Sequence, residues 1–216
     1  GTTNVWSMRV VNGLCRVVLQ CFPQQLLYDF TDLVRLDAGS AHLAGAIDSD
    51  GADKATRFMQ LCDAFDLPLL FLCDTPGIMV GPEAVKTALV RHASRMFATS
   101  ASLSVPYFTI VLRKGYGLGA QAMAGGSFKA PIFTIAWPTG EFGGMGLEGA
   151  VKLGYRNELA ALDDPAERKA LYDQMVERMY QHGKAVSTAS HFEIDDVIDP
   201  AESRTWITRT LRSVPP

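Results

Sequence analysis

RKGYGLGAQAMAGG, residues Arg113–Gly126, is the stretch on which the reading of this chain turns. It follows an apolar run, Val105–Leu112 (VPYFTIVL), whose β-branched and aromatic residues suit a buried strand. Gly115, Gly117 and Gly119 then allow a tight turn in which main chain can approach whatever lies above it. The small, unbranched residues of Ala120–Ala124 can open a helix immediately afterwards. Strand, glycine loop and helix start together point unpaired backbone N–H groups at one spot. Such a spot suits a phosphate, a carboxylate or a developing oxyanion.

Two further clusters repeat the pattern. Leu67–Cys73 (LPLLFLC) is a second buried-strand run, ending in Asp74-Thr75-Pro76-Gly77 and then Ile78–Pro82. Pro131–Trp137 (PIFTIAW) is a third, ending in Pro138–Gly149 (PTGEFGGMGLEG). The recurrence, at about thirty residues, matches the size of a βα unit. It predicts a mainly parallel, helix-covered sheet whose loops gather at one end. Ligands of such sheets sit beyond the carboxyl ends of the strands, where all three loops would lie.

Length and composition set the bounds. A chain of 216 residues fits one generous domain, and 48% hydrophobic residues are ample for a core. A net charge of −3 gives no electrostatic case for nucleic acid or anionic membrane. No apolar run has membrane-spanning length; Val10–Phe22 is too short and carries Asn12 and Arg16. Cys15, Cys21, Cys62 and Cys73 lack CxxC spacing, and reduced, buried thiols in a cytoplasmic protein are the expected state.

Residues 1–40 read differently from the rest: Val10–Phe22 and Leu26–Leu36 are each compatible with strand or helix, and Gly39-Ser40 with a loop. From Ala41 the pattern becomes regular. Asp48, Ser49 or Asp50 can cap a helix running to Asp63, with Ala52, Ala55, Phe58, Met59 and Cys62 on one face. Pro82-Glu83 starts another, where Val85, Leu89, Ala93, Met96 and Phe97 recur at helical spacing. Asp163-Asp164-Pro165 opens a helix to Gln181, with Leu171, Met175, Met179 and Tyr180 inward and Gly183 as its stop. Asp199-Pro200 begins a last helix, which ends before Pro215-Pro216.

Several motif readings compete for the glycine loops. Gly115–Ala120 satisfies a relaxed GxGxxG/A fingerprint with Glu141 about twenty residues on, but Arg113-Lys114 intervene between apolar run and first glycine. Asp74-Thr75-Pro76-Gly77 has the form DxxG, yet the GxxxxGK[ST] loop needed to hold phosphates is missing. His42, His92, His182 and His191 are scattered and form no metal-ligand spacing; His92 reads as a packed, hydrogen-bonded histidine. No GxSxG elbow occurs. Glu141 and Glu148 flank the third loop and admit two readings, an acid/base pair or carboxylates facing a helix dipole. Met79 and Met145, beside glycine loops, suit an apolar pocket.

Taken in order, these segments resemble the carboxyltransferase component of biotin-dependent acyl-CoA carboxylases. The resemblance begins at His42–Asp48 (HLAGAID) and runs through Phe58–Asp66 (FMQLCDAFD), DTPG, Leu89–Phe97 (LVRHASRMF), RKGYGLGAQAMAGG and Ala136–Gly149 (AWPTGEFGGMGLEG). It closes with Ile194–Arg204 (IDDVIDPAESR), so it covers roughly four fifths of the chain. It implies an α/β fold of the ClpP/crotonase type, a spiral of ββα units. It also implies that residues 41–216 form a domain of the family's C-terminal, carboxybiotin-side type, preceded by a poorly matched segment, 1–40. The usual strand before His42 would then be missing or replaced by Leu33–Leu36. On this resemblance the chain is a fragment, a separately encoded half or a divergent relative.

The same resemblance assigns chemistry. The family moves a carboxyl group from carboxybiotin, held on a carrier domain, to the α-carbon of an acyl-CoA, and needs no metal in this chain. Negative charge develops on the ureido oxygen and on the acyl enolate, and both favour rigid N–H donors at helix starts. Gly117, Leu118, Gly119 and Ala120 correspond to the biotin-side oxyanion hole. Many relatives carry Gly-Gly-Ala at 117–119, so Leu118 is a departure. Gln121 would face the acyl pocket, while Pro76, Gly77 and Met79, with Gly143, Gly144 and Met145, would form its walls. Implied partners are the biotin carboxyl carrier, the biotin carboxylase component, a carboxyltransferase domain of N-terminal type and further copies in a homo- or hetero-oligomer. Two other readings stay open: a stand-alone crotonase-like hydratase, isomerase or decarboxylase using Glu141, and a non-catalytic assembly module.

Overall fold

The computed structural model describes residues 45–214. The readings made for residues 1–40, for His42, Cys15 and Cys21, and for Pro215-Pro216 lie outside the described residues.

Among the described residues the first long element is helix α1, Ser49–Ala64, and its cap is Asp48, whose carboxylate accepts the Gly51 N–H at 2.7 Å. A short side-chain acceptor one residue before a helix satisfies one of the donors left over in its first turn. Strand β1, Leu69–Thr75, follows. Its residues alternate between two cores. Leu69, Phe71 and Cys73 join Met59, Met96 and Met123 on one face, while Leu70 and Leu72 join Phe108, Ile110, Phe133 and Ile207 on the other. A strand buried on both faces reads as a continuous apolar run, which is why LPLLFLC marks it. Each such side chain contributes about 1.5–3 kcal/mol.

The single helix expected from Pro82 is two, α2 (Pro82–Lys86) and α3 (Leu89–Ser100). Ala88 between them has φ +54°. The Thr87 hydroxyl donates to the Ala84 carbonyl and also meets Ser49 Oγ at 2.6 Å, a local bond that competes with helix continuation. The break turns Val85 outward, at 71% exposure, although its spacing placed it on the apolar face. His92 on α3 is held by Asp53, with Nδ1 2.8 Å from the carboxylate, as its packed reading requires.

Strand β2, Tyr107–Tyr116, extends four residues past the apolar run and includes Gly115. Only Gly117 and Gly119 of the three glycines therefore lie beyond the strand, and helix α4, Gly117–Ala122, begins at once, earlier than Ala120. Polar residues enter the strand because β2 bulges there: Cys73 pairs with Val111, but Thr75 pairs with Gly115. Asp74 fastens the bulge, accepting the Lys114 N–H and two N–H groups of the Arg113 guanidinium.

Strands β3 (Thr134–Ala136) and β4 (Glu141–Gly143) both pair with β2, β3 along Thr109–Val111 and β4 along Lys114–Tyr116. Helices α5 (Leu147–Gly154), α6 (Arg156–Ala160), α7 (Pro165–Gly183) and α8 (Ala185–Ser190) come next. The sheet closes with β5, Asp196–Val197, beside β3, and helix α9, Ser203–Ser213, covers its second face. The order is β1-β2-β3-β5, and every strand pairing among the described residues is parallel. Helix α7 begins as expected on Asp164, which accepts the Ala166 N–H, but reaches Gly183. Its apolar stripe, including Leu171, Met175 and Met179, is only half-buried. No helix among the described residues is long and apolar enough to cross a membrane.

Candidate active site

The three glycine loops meet at the carboxyl end of β2. A methyl group on Gly119 would stand 2.6 Å from the Gly77 carbonyl carbon and 2.7 Å from its Cα. One on Gly117, whose φ is +58°, would stand 2.8 Å from the Gly144 carbonyl oxygen. Only glycine permits main chain to approach main chain this closely. The first turn of α4 is thereby wedged between the loop after β1 and the loop after β4.

The β1 loop is rigid for identifiable reasons. The buried Thr75 hydroxyl donates to the Gly45 carbonyl at 2.9 Å and accepts the Gly77 N–H at 3.1 Å. Ile47 donates its N–H to the Gly77 carbonyl, and Met79 donates its own to Ile47. The motif DTPG is a turn held by its threonine.

Of the residues nominated from sequence, Gly119 and Ala120 are buried, Gly117 is half-buried, and Leu118 and Gln121 are exposed. Pro76, Gly77 and Met79 are half-buried on the β1 loop; Gly143 is half-buried, and Gly144 and Met145 are exposed on the β4 loop. The glycine contacts join the three groups at one junction. Leu118 is 61% exposed, so its side chain projects outward at the seam. Val80 and Met145, also exposed, add apolar surface beside the touching glycines. The first turn of α4 has no side-chain cap from Tyr116. A helix start left uncapped, with small residues behind it, is a cradle of N–H donors for a carbonyl or oxyanion.

Glu141 and Glu148 do not form a free acid/base pair. Glu141 lies in β4, not at a helix start, and accepts the Tyr116 hydroxyl at 2.8 Å. Glu148, in the first turn of α5, accepts the Tyr180 hydroxyl at 2.5 Å. Burial, with the Glu141 carboxylate beside it, pushes the Tyr116 phenol well above its ordinary range. The bond to Glu148, with some burial, pushes Tyr180 up to about 12, and the same bond holds Glu148 below the usual carboxylate range. Tyr116 and Tyr180 were missed by sequence reasoning. Their partners are 25 and 32 residues away, and only the pairing of β4 with β2 and the packing of α7 bring them together. Among the described residues no three His, Cys, Asp or Glu side chains gather into a metal-binding set.

A parallel α/β sheet with glycine loops converging beyond its strands defines the class, and comparison with known proteins gives the family. The family model of the carboxyl transferase domain matches residues 12–214. Over 170 residues the chain is 34% identical to the propionyl-CoA carboxylase carboxyltransferase subunit of Haloferax mediterranei, covering 78% of this chain and 32% of that one. It is 35% identical over 173 residues to the methylmalonyl-CoA carboxyltransferase 12S subunit of Propionibacterium freudenreichii, covering 78% and 32%. Among solved structures, a single-chain, multi-domain long-chain acyl-CoA carboxylase matches at 62% identity and TM-score 0.69, over 78% of this chain and 16% of that one. The hexameric transcarboxylase 12S core, solved with methylmalonyl-CoA, matches at 34% and TM-score 0.71, over 79% and 32%. This chain belongs to the carboxyl transferase domain family, and its fold is crotonase-like. It spans about a third of the length of the curated relatives it matches.

Proposed function

We propose that this chain is the carboxybiotin-side part of the carboxyltransferase of a biotin-dependent acyl-CoA carboxylase, acting on the α-carbon of an acyl-CoA. The observation that carries the reading is the junction of three glycine loops at the uncapped start of α4, in a chain of this family. The junction depends on glycine: a Cβ at Gly117 would strike the Gly144 carbonyl oxygen, and one at Gly119 would strike the Gly77 main chain. Biotin on a carrier domain, when bound as carboxybiotin, supplies the carboxyl group. The chain's part is to hold the ureido oxygen with the N–H groups of Leu118 and Gly119, and to keep water out with Pro76, Gly77, Met79, Gly143, Gly144 and Met145. Gln121 is exposed on the next turn, and its role in this reading is to face the acyl side. The 62% identity with a long-chain acyl-CoA carboxylase supports a long acyl chain as substrate. The partners of this reading are acyl-CoA, the biotin carboxyl carrier and biotin carboxylase components, and an N-terminal-type carboxyltransferase domain in an oligomer.

Titration of the chain with biocytin, and separately with acyl-CoA, tests the reading by ligand-observed NMR. Biocytin should bind and acyl-CoA bind weakly; acyl-CoA binding alone would favour a stand-alone crotonase-like enzyme. Leu118→Pro removes one first-turn N–H at an exposed position, where proline is tolerated, and should weaken biocytin about three- to tenfold. Gly119→Pro would not serve, because its Cβ would strike Gly77.

A further inference from the structure

The loop between β4 and α5 is fastened at both ends by the same device. At its entry, Glu141 on β4 accepts the hydroxyl of Tyr116, the last residue of β2 and itself 3% exposed. At its exit, Glu148 on α5 accepts the hydroxyl of Tyr180 on α7. Beside them, Gly183 at the end of α7 presses on β4 just before the loop, since a methyl there would stand 2.5 Å from the Phe142 carbonyl oxygen. Lys184 also bridges Glu141 through main chain. The residues so enclosed, the end of β4 and the loop 144–146, include Gly144, whose carbonyl lies against Gly117.

We propose that Glu141 and Glu148 are positioning residues, each acting through its tyrosine to hold the β4–α5 loop against the start of α4. Neither carboxylate is then the proton-transferring group of the site. The proposal rests on reading the glycine junction as the carboxybiotin-side site. What matters at Glu141 is an oxygen that accepts a hydrogen bond, so glutamine should substitute and leucine should not. A proton-transferring carboxylate would be lost in both variants alike.

The test uses the full chain and two readouts, backbone hydrogen exchange of residues 142–146 and biocytin affinity. Tyr116→Phe and Glu141→Leu should each accelerate exchange of the loop about tenfold, the worth of a hydrogen bond to a charged acceptor. Their combination should add little to either single change. Glu141→Gln, which keeps a neutral acceptor, should accelerate exchange only about threefold and leave biocytin affinity within about twofold of the parent. Tyr180→Phe, at the more exposed exit, should accelerate exchange about threefold; it serves if the buried Tyr116 variant does not fold. Unchanged exchange in Tyr116→Phe, Glu141→Leu and Tyr180→Phe overturns the proposal, as does Glu141→Gln behaving like Glu141→Leu. A parent chain that does not bind biocytin overturns the functional reading instead, and leaves the exchange result standing on its own.

Discussion

The start of α4 meets its two neighbouring loops in different ways. Against the β1 loop the contact is main chain on main chain: Gly119 lies on Gly77, with no room for a single methyl. Against the β4 loop the close contact is one carbonyl, Gly144 on Gly117, and the loop is otherwise kept in place by side chains. The first contact offers no side chain to trim, and the β1 loop behind it is held by a single one, Thr75. The second can be loosened or tightened through Tyr116, Glu141, Glu148 and Tyr180. One wall of the junction is thus fixed and the other is adjustable, and the long helix α7 supplies much of the adjustment.

The sharpest way to break this contrast is a pair of glycine substitutions. Gly119→Ala should destabilise the protein by about 1–3 kcal/mol, as overpacking against backbone does, measured by chemical denaturation. Gly144→Ala, whose added methyl would meet nothing within 4 Å, should fall within about 0.5 kcal/mol of the parent. Equal effects would mean that the two walls are not made differently.

A second, smaller effect concerns the adjustable wall and its pH range. Tyr180 is raised in the folded state to about 12 from an ordinary value near 10, so the stabilisation it brings is complete below about 10. It is lost as pH rises through about 12. Glu148 is depressed, so its share is present above the ordinary carboxylate range and is lost as pH falls through the depressed value. The exit clamp is therefore complete across the neutral range. Tyrosine ring NMR should show Tyr180 titrating near 12 in the parent and returning toward 10 in Glu148→Ala. A Tyr180 midpoint that ignores Glu148 would remove the exit clamp from the comparison.

The smallest expected effect is at the seam itself. Leu118 is 61% exposed, and Leu118→Ala should change stability by no more than about 0.5 kcal/mol. A larger loss in thermal denaturation would show that Leu118 packs on one of the walls and is not free to meet a ligand.

Local chemistry was legible where one segment carries its own pattern. LPLLFLC and VPYFTIVL read as buried strands and proved to be β1 and most of β2, because burial on both faces demands continuous apolar sequence. Asp48, Ser49 and Asp50 read as candidate caps, and Asp163-Asp164 as an acidic one; Asp48 and Asp164 are the residues that accept first-turn N–H groups. The polar end of β2 was not legible: Arg113 and Lys114 interrupt the apolar signal, and they remain in the strand because Asp74, on the neighbouring strand, binds them. Strand β4 was hidden within a glycine-rich stretch, since three residues are too few to show alternation. The break at Ala88 depended on Thr87 and Ser49, which are 38 residues apart.

By itself the sequence determined the α/β class, the recurring strand–glycine–helix unit and the place of the glycine loops. Hydrophobic runs and turn residues act over a few positions and leave their mark in order along the chain. Only the tertiary structure decided that Gly77, Gly119, Gly117 and Gly144 touch, and that Glu141 and Glu148 face tyrosines and not an open pocket. Those contacts join residues 25 to 42 positions apart, through the pairing of β1 and β4 with β2 and the packing of α7, and no periodicity within one segment encodes them.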